Sequence, residues 1–226
     1  MIIQNNAIFI ADSHFNQERT DLYELLIDIQ KENIKTTQLF LMGDIFDFLS
    51  GEIEYFKTIN YQIINLINDL SNQIEIIYLE GNHDFNLKQI FPKIDIFSRE
   101  QQPLKIMDKH KKISLAHGDI FTPVGYDIFS LILRNHYVQK FIDFIDNNNW
   151  ISKRVEQKLL EKNICHKQKN FIQFVENRIK DYDTDLIIEG HFHQGYQDEK
   201  YINIPSLACT REYMVYQNNQ FSFNIL

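Results

Sequence analysis

The chain reads as an α/β fold built on a parallel sheet, for three reasons. Five short apolar runs each stop at a polar cluster, glycine or aspartate closes nearly every run, and amphipathic helical patterns separate the first three. Runs this short and this β-branched, followed by Gly or Asp, are buried strands rather than helices. Strand alternating with helix implies parallel pairing.

Residues 7–11 form the first strand and end on Asp12-Ser13-His14. Residues 21–32 then place Leu22, Leu25, Leu26 and Ile29 at spacings of three and four, one buried helical face. Residues 38–42 are the second strand and run into Gly43-Asp44. Residues 54–70 repeat the helical spacing with Ile59, Ile63, Leu66, Ile67 and Leu70. Residues 74–79 lead to Gly81-Asn82-His83-Asp84, residues 112–116 to His117-Gly118-Asp119, and residues 185–188 to Gly190-His191-Phe192-His193. The tail, with residues 201–204 and the runs 212–216 and 220–225 around Asn218-Asn219, reads as strands of a second sheet.

Composition sets the bounds. The 226 residues suit one large domain carrying an inserted subdomain, and 44% hydrophobic content with 18 Phe and 11 Tyr is ample for a packed core. Cys165 and Cys209 lie far apart and outside any CxxC pattern, which predicts no disulfide framework and fits a reducing compartment. No basic start followed by an apolar stretch opens the chain, and no run approaches the ~18 apolar residues of a membrane span. The expectation is a soluble cytoplasmic protein, at most peripheral to a membrane.

A net charge of −8 argues against broad nucleic-acid binding, which works by neutralising phosphates. That charge is unevenly spread. Between positions 134 and 180 stand ten basic residues, among them Arg154, Lys167 and Lys169, against five acidic ones. Phe141, Phe144 and Trp150 lie among them. Basic residues interleaved with aromatics fit an anionic substrate with a greasy part, or an anionic membrane surface. A solvated helical hairpin with its own core fits equally well.

The polar clusters carry the chemistry. Carboxylate, imidazole and amide groups are what hard or borderline divalent metals take as ligands, and α/β sheets gather functional groups at the carboxyl ends of their strands. Asp12 and His14 can reach one ion together, Asp44 can bridge two ions with its two oxygens, and Asn82, His117, His191 and His193 supply further donors. Two ions about 3.5–4 Å apart clamp the attacking and leaving oxygens of an in-line phosphoryl displacement. His83 is not needed as a ligand and suits proton donation to a leaving oxygen, with Asp84 as a partner fixing its tautomer. Taken singly, each cluster is an ordinary turn or helix cap. Their shared order, strand context and ligand type are not. His110, His136 and His166 sit in polar or helical contexts and read as surface residues.

The five clusters resemble the D-x-H, GD, GNHD, H and GHxH pattern of the calcineurin-like metallophosphoesterases, from about Ala7 to Ile204. The resemblance implies a four-layer αββα sandwich with a dinuclear metal site at one edge. It also implies one ion on Asp12, His14, Asp44 and His193, the other on Asp44, Asn82, His117 and His191, with His83 catalytic and manganese the usual metal. Iron, zinc or cobalt also suit such ligands.

Within that superfamily the chain is most similar to the UDP-2,3-diacylglucosamine pyrophosphatases of lipid A biosynthesis. The match lies in Ile10–Phe15, Gly43–Asp47, Gly81–Phe85, His117–Asp119, and Gly125-Tyr126 with Phe129. This closer resemblance implies a helical lid over about 125–180 and action at the cytoplasmic face of the inner membrane. Water would attack the α-phosphorus of an acylated UDP-sugar, giving UMP and 2,3-diacylglucosamine 1-phosphate. Tyr126, Arg154, Lys167 and Lys169 are the candidate substrate contacts. Better-known members carry Arg where this chain has His83, so an enzyme for another ester (a nucleotide, cyclic nucleotide or phosphoprotein) is the alternative. A non-catalytic metal-binding scaffold is the third reading.

Overall fold

The computed structural model describes residues 1–226. The first half runs β1 (Ala7–Ile10), α1 (Asp21–Gln30), β2 (Gln38–Leu41), β3 (Leu49–Ser50), α2 (Glu54–Ile59), α3 (Tyr61–Leu70), β4 (Glu75–Leu79), β5 (Asp84–Phe85) and β6 (Asp95–Phe97). Strands β7 (Leu104–Asp108) and β8 (Lys111–Ala116) follow. Four helices come next: α4 (Val124–Leu133), α5 (His136–Ile145), α6 (Trp150–Leu160) and α7 (Phe171–Arg178). The chain closes with β9 (Leu186–Glu189), β10 (Tyr196–Gln197), β11 (Tyr201–Asn203), α8 (Leu207–Thr210), β12 (Glu212–Gln217) and β13 (Gln220–Ile225).

Two large sheets result, in the orders β13-β12-β1-β2-β4-β6 and β10-β11-β9-β8-β7. Strands β1, β2, β4 and β6 are mutually parallel, as the alternation with helices predicts. Side chains alternate across each strand, so one sheet feeds two cores. Ile8, Ile10, Leu39 and Leu41 pack with Leu22, Leu25, Ile63 and Ile67 of α1 and α3. Ala7, Phe9, Phe40 and Met42 face Leu115, Ile188 and Ile202 of the other sheet. The Phe9 and Phe40 rings stack between the sheets at 4.3 Å. On the far side, Phe171 and Val175 of α7 cover Ile187 and Tyr201. The order of layers is helix, sheet, sheet, helix, the αββα sandwich.

Three sequence expectations need correction. The last hairpin, β12–β13, belongs to the first sheet, where β12 pairs antiparallel with β1. Hydrophobic alternation marks a strand but does not say which open edge it joins. Residues 54–70 form two helices, because Asn60 turns its amide back onto the carbonyls of Phe48 and Phe56. Cys165 and Cys209 are joined by a disulfide, their Cα atoms 5.5 Å apart although 44 residues separate them in sequence. The cross-link ties the segment after α6 to α8 and removes the cysteine argument for a reducing compartment. For a loop of this length, such a constraint on the unfolded chain contributes about 2–4 kcal/mol.

Helices α5 and α6 dock on α2 and the turn before it rather than standing alone. Glu52 holds His136 at 2.6 Å, the Glu54 amide donates to Asp143, and the Tyr55 hydroxyl donates to Glu156. Ile142 and Val155 pack against the α1–α3 core.

Candidate metal centre

All five clusters converge at the carboxyl ends of β1, β2, β4, β8 and β9. The backbone there is unusual. Asp12, His14, Asp44, His191 and His193 all have positive φ, between 39° and 65°. Left-handed conformations cost non-glycine residues energy and gather at functional sites. Five of the seven candidate ligands share that cost. Two glycines make the crowding possible: a Cβ on Gly43 would overlap the His117 ring, and one on Gly81 would overlap Asp44.

Donor atoms within one ligand's reach form overlapping groups: Asp12, His14 and His193; His14, Asp44 and His83; Asp44, His117 and His191. His193 Nε2 lies 3.3 Å from Asp12 Oδ1, and His14 Nε2 lies 3.9 Å from Asp44 Oδ2. On the other side, His117 Nε2 is 3.5 Å from Asp44 Oδ1, 3.2 Å from Asn82 Oδ1 and 3.2 Å from His191 Nδ1. Asp44 therefore stands between two clusters, one oxygen toward each.

The electrostatics fit cations. Asp12 and Asp44 are buried carboxylates, and Asp12 Oδ1 has no hydrogen-bond donor. Burial alone would raise the Asp44 pKa, but His117, His83 and His14 outweigh it and hold the carboxyl well below its usual range. Burial likewise opposes charge on His117, yet Asp44, Asp119 and Asp12 push its pKa well above normal. His191 goes the other way, lowered to about 4 by burial and then by the charge on His117, and so stays neutral with a lone pair to donate. Buried carboxylates that raise the pKa of the imidazole beside them mark a place that favours positive charge.

Further groups fix the ligands. His117 Nδ1 donates to the Met42 carbonyl and His193 Nδ1 to that of Ile164, leaving each Nε2 facing inward. Asp84 differs from expectation. Its carboxylate points away from the His83 ring and accepts from the amides of Asp44, Ile45, Phe46 and Gly81 and from the Tyr78 hydroxyl. It thus braces the Asp44 loop. The His83 tautomer is fixed instead by the Asp47 carbonyl, which accepts from Nδ1 at 2.6 Å. His83 Nε2 is then a donor only in the imidazolium form.

The calcineurin-like phosphoesterase profile matches residues 6–195, most of the chain and every cluster above. This chain belongs to that family. Curated relatives include the UDP-2,3-diacylglucosamine hydrolase of Haemophilus influenzae strain PittGG, 26% identical over 202 residues, covering 84% of this chain and 83% of the relative. The enzyme of the same name from Vibrio atlanticus is 26% identical over 206 residues, covering 82% and 80%. Among solved structures, the phosphoesterase Yfce from E. coli is similar at a TM-score of 0.48 and 15% identity, covering 96% of this chain and 91% of that one. The protein is a metal-dependent hydrolase.

The metallophosphoesterase site opens in two directions. One is a cleft lined by His14, Asp44, Asn82, His83, His191 and His193, with Lys162 and His166 at its rim. His166, expected at the surface, is exposed and lies on that rim. The other is an apolar cavity of about 420 Å³ between α2 and α4–α6, walled by Phe48, Phe56, Phe129, Leu133, Ile142 and Val155. Asn82, His83 and Lys162 line both.

The candidate substrate contacts divide. Tyr126 lines the cavity beneath the Arg99 guanidinium. Lys167 donates to the carbonyls of His193 and Gln194, while Arg154 and Lys169 are exposed and line neither opening. Sequence reasoning passed over Lys162 and Arg134, both in the cavity wall. Arg134 is buried, donates to the Gly81 carbonyl and approaches Asp119 at 3.4 Å. Nothing in its sequence context separates it from other helical arginines.

Proposed function

We propose that this metallophosphoesterase hydrolyses the pyrophosphate of an acylated UDP-sugar, UDP-2,3-diacylglucosamine, to UMP and 2,3-diacylglucosamine 1-phosphate. One observation carries the reading: the apolar cavity and the metal cleft share Asn82, His83 and Lys162 as a common wall. A cavity of that size and lining suits acyl chains. A diphosphate attached to the acylated sugar would then lie in the cleft, with the Lys162 ammonium beside it. Helices α4–α6, residues 124–160, act as the lid that encloses the chains, whereas α7, within the 125–180 stretch expected to form it, covers the second sheet instead. The names of the two bacterial relatives favour the same substrate.

Asp12, His14, Asp44 and His193 would hold one ion, and Asp44, Asn82, His117 and His191 the other. Manganese is the proposed metal, although iron, zinc or cobalt suit the same donors. When bound, the ions would supply Lewis-acid stabilisation of the charge that develops on the phosphoryl oxygens and would acidify the attacking water, whose proton passes to solvent. This chain's own groups do the rest. His83 reaches the leaving oxygen from the common wall and donates a proton from Nε2 in its imidazolium form. Asp47 keeps that atom pointed into the cleft.

The outer face of the lid supports peripheral membrane contact. No helix is long and apolar enough to cross a membrane. Yet Leu131, Tyr137, Phe141, Phe144 and Trp150 are exposed, Phe144 at 86%, with Lys140, Lys153 and Arg154 nearby in sequence. Exposed apolar groups with a basic fringe suit an anionic lipid surface, where the substrate would reside. Nucleic acid is not a proposed partner, given the net charge of −8.

His83 supports a second reading, a phosphoesterase for another ester, because it donates protons as well to a small alcohol as to a sugar phosphate. Incubation of the protein with manganese and UDP-2,3-diacylglucosamine separates the two. Release of UMP and the acylated sugar phosphate, read by mass spectrometry, is expected. No UMP, alongside robust hydrolysis of a simple aryl phosphodiester, would establish the second reading.

A further inference from the structure

We infer that Arg178 is a positioning residue that sets the spacing of His117 and His191 and so determines how tightly the second ion is held. The inference rests on the dinuclear reading of the site. Arg178 ends α7 and is buried, and Glu189 ends β9 and is fully buried two residues before His191. Buried charges at this depth need full compensation. The pair supplies it in a specific way.

The guanidinium forks onto the Glu189 carboxylate, with Nε 3.1 Å from Oε2 and Nη2 2.7 Å from Oε1. Tyr182 donates its hydroxyl to Oε1, and Tyr201 donates to Oε2 at 2.7 Å. The remaining guanidinium hydrogens turn to the neighbouring loop. Nη2 donates to the Gly118 carbonyl at 2.9 Å, and Nη1 to the Ile120 carbonyl at 2.7 Å. Those carbonyls follow His117 by one and three residues. A single planar cation therefore clamps the loop leaving His117 to the strand end leading into His191.

The clamp acts where the strands give least control. Strands β8 and β9 are parallel neighbours, with Ala116 opposite Glu189, and ladder pairing stops there. The next residues hold the ligands. Gly118 has a φ of 125°, which the ladder does not support. His117 Nε2 and His191 Nδ1 stand 3.2 Å apart, within the reach of one ion. Phe121, Tyr182 and Phe192 surround the guanidinium with ring centroids 5.3–5.8 Å from its carbon, which seals the clamp from water. Phe192 itself lies between His191 and His193.

A lysine at this position keeps the charge but loses the fork, since an ammonium cannot span carboxylate and two carbonyls in one plane. Groups that orient metal ligands typically change metal affinity by 10–100-fold when altered. Manganese titration followed by electron paramagnetic resonance, on wild-type protein and Arg178→Lys, tests this. Wild type should take up two ions. The variant should bind the first ion as wild type does and the second about 10–100-fold more weakly, with turnover returning at raised manganese and KM unchanged. Glu189→Gln keeps the shape, weakens the fork, and should move the second affinity in the same direction.

The outcomes are distinct. A wild type that binds fewer than two ions refutes the dinuclear reading itself. Two ions in wild type, with both affinities within about twofold in folded variants, overturns only the role of Arg178. A lowered melting temperature with both affinities unchanged, or failure of both variants to fold, would make the pair a support of the fold and likewise overturn it.

Discussion

Asp44→Ala should remove at least about 10³-fold of the manganese-dependent hydrolysis of an aryl phosphodiester while leaving the fold intact by circular dichroism. Its two oxygens face the two histidine clusters, at 3.9 Å from His14 Nε2 and 3.5 Å from His117 Nε2. Losing it disables both metal positions at once, and metal stabilisation of phosphoryl charge is worth several kcal/mol, about tenfold per 1.4 kcal/mol. The fold should tolerate the change, because Asp84 holds the loop through the amides of Asp44, Ile45 and Phe46, and the Asp44 side chain adds only one backbone bond, from the His83 amide. His117→Ala should lose activity for the same reason on one side. Activity near the wild-type level in both variants would refute a metal-dependent role for the cluster.

His83→Ala should behave differently, retaining metal but losing about 10²–10⁴ in rate, the range for a general acid. His83 makes its ring contact with the Asp47 carbonyl, so its removal leaves the Asp and His donors of each cluster in place. The diagnostic is the split between metal content and kcat. Wild-type kcat in the variant would leave the leaving oxygen without a protein acid, and a parallel loss of metal would make His83 a ligand. The short separations within His14, Asp44 and His83 make that comparison worth measuring directly.

The sequence was most legible where local chemistry and strand position coincide. The strands ending at Asp12, Asp44, Asn82, His117 and His191 are short buried runs, and short buried runs have few alternatives. The parallel pairing of β1, β2 and β4 follows from the helices between them. What depended on long-range geometry was not legible. The hairpin at Asn218-Asn219 announces two antiparallel strands but not that β1 has an open edge to receive them. The Cys165–Cys209 bond exists because the segment after α6 folds down beside α8 and His193, which no spacing rule contains. Asp84 looked like a partner of the histidine beside it, but its carboxylate is claimed by the amides of the Asp44 loop and the Tyr78 hydroxyl, contacts that adjacency in sequence does not reveal.

One missed residue did leave a trace. Glu189 is a carboxylate at the end of the apolar run Leu186–Ile188, directly before Gly190-His191. A charge in a strand that is otherwise buried on both faces needs a buried partner, and Arg178 is the nearest preceding arginine. Arg134 and Lys162 left none, because their importance comes from where α4 and α6 dock. The metal site is written in the strand ends, whereas the cavity beside it is written in helix packing.

The most direct test of the central claim is the metal content of the purified protein after loading with manganese and removal of excess, for wild type and for Asp44→Ala. Two ions per chain in the wild type, falling to one or none in the variant together with activity, is the predicted result. A wild type that hydrolyses phosphodiesters at full rate with no bound metal, after exhaustive chelation, would contradict it.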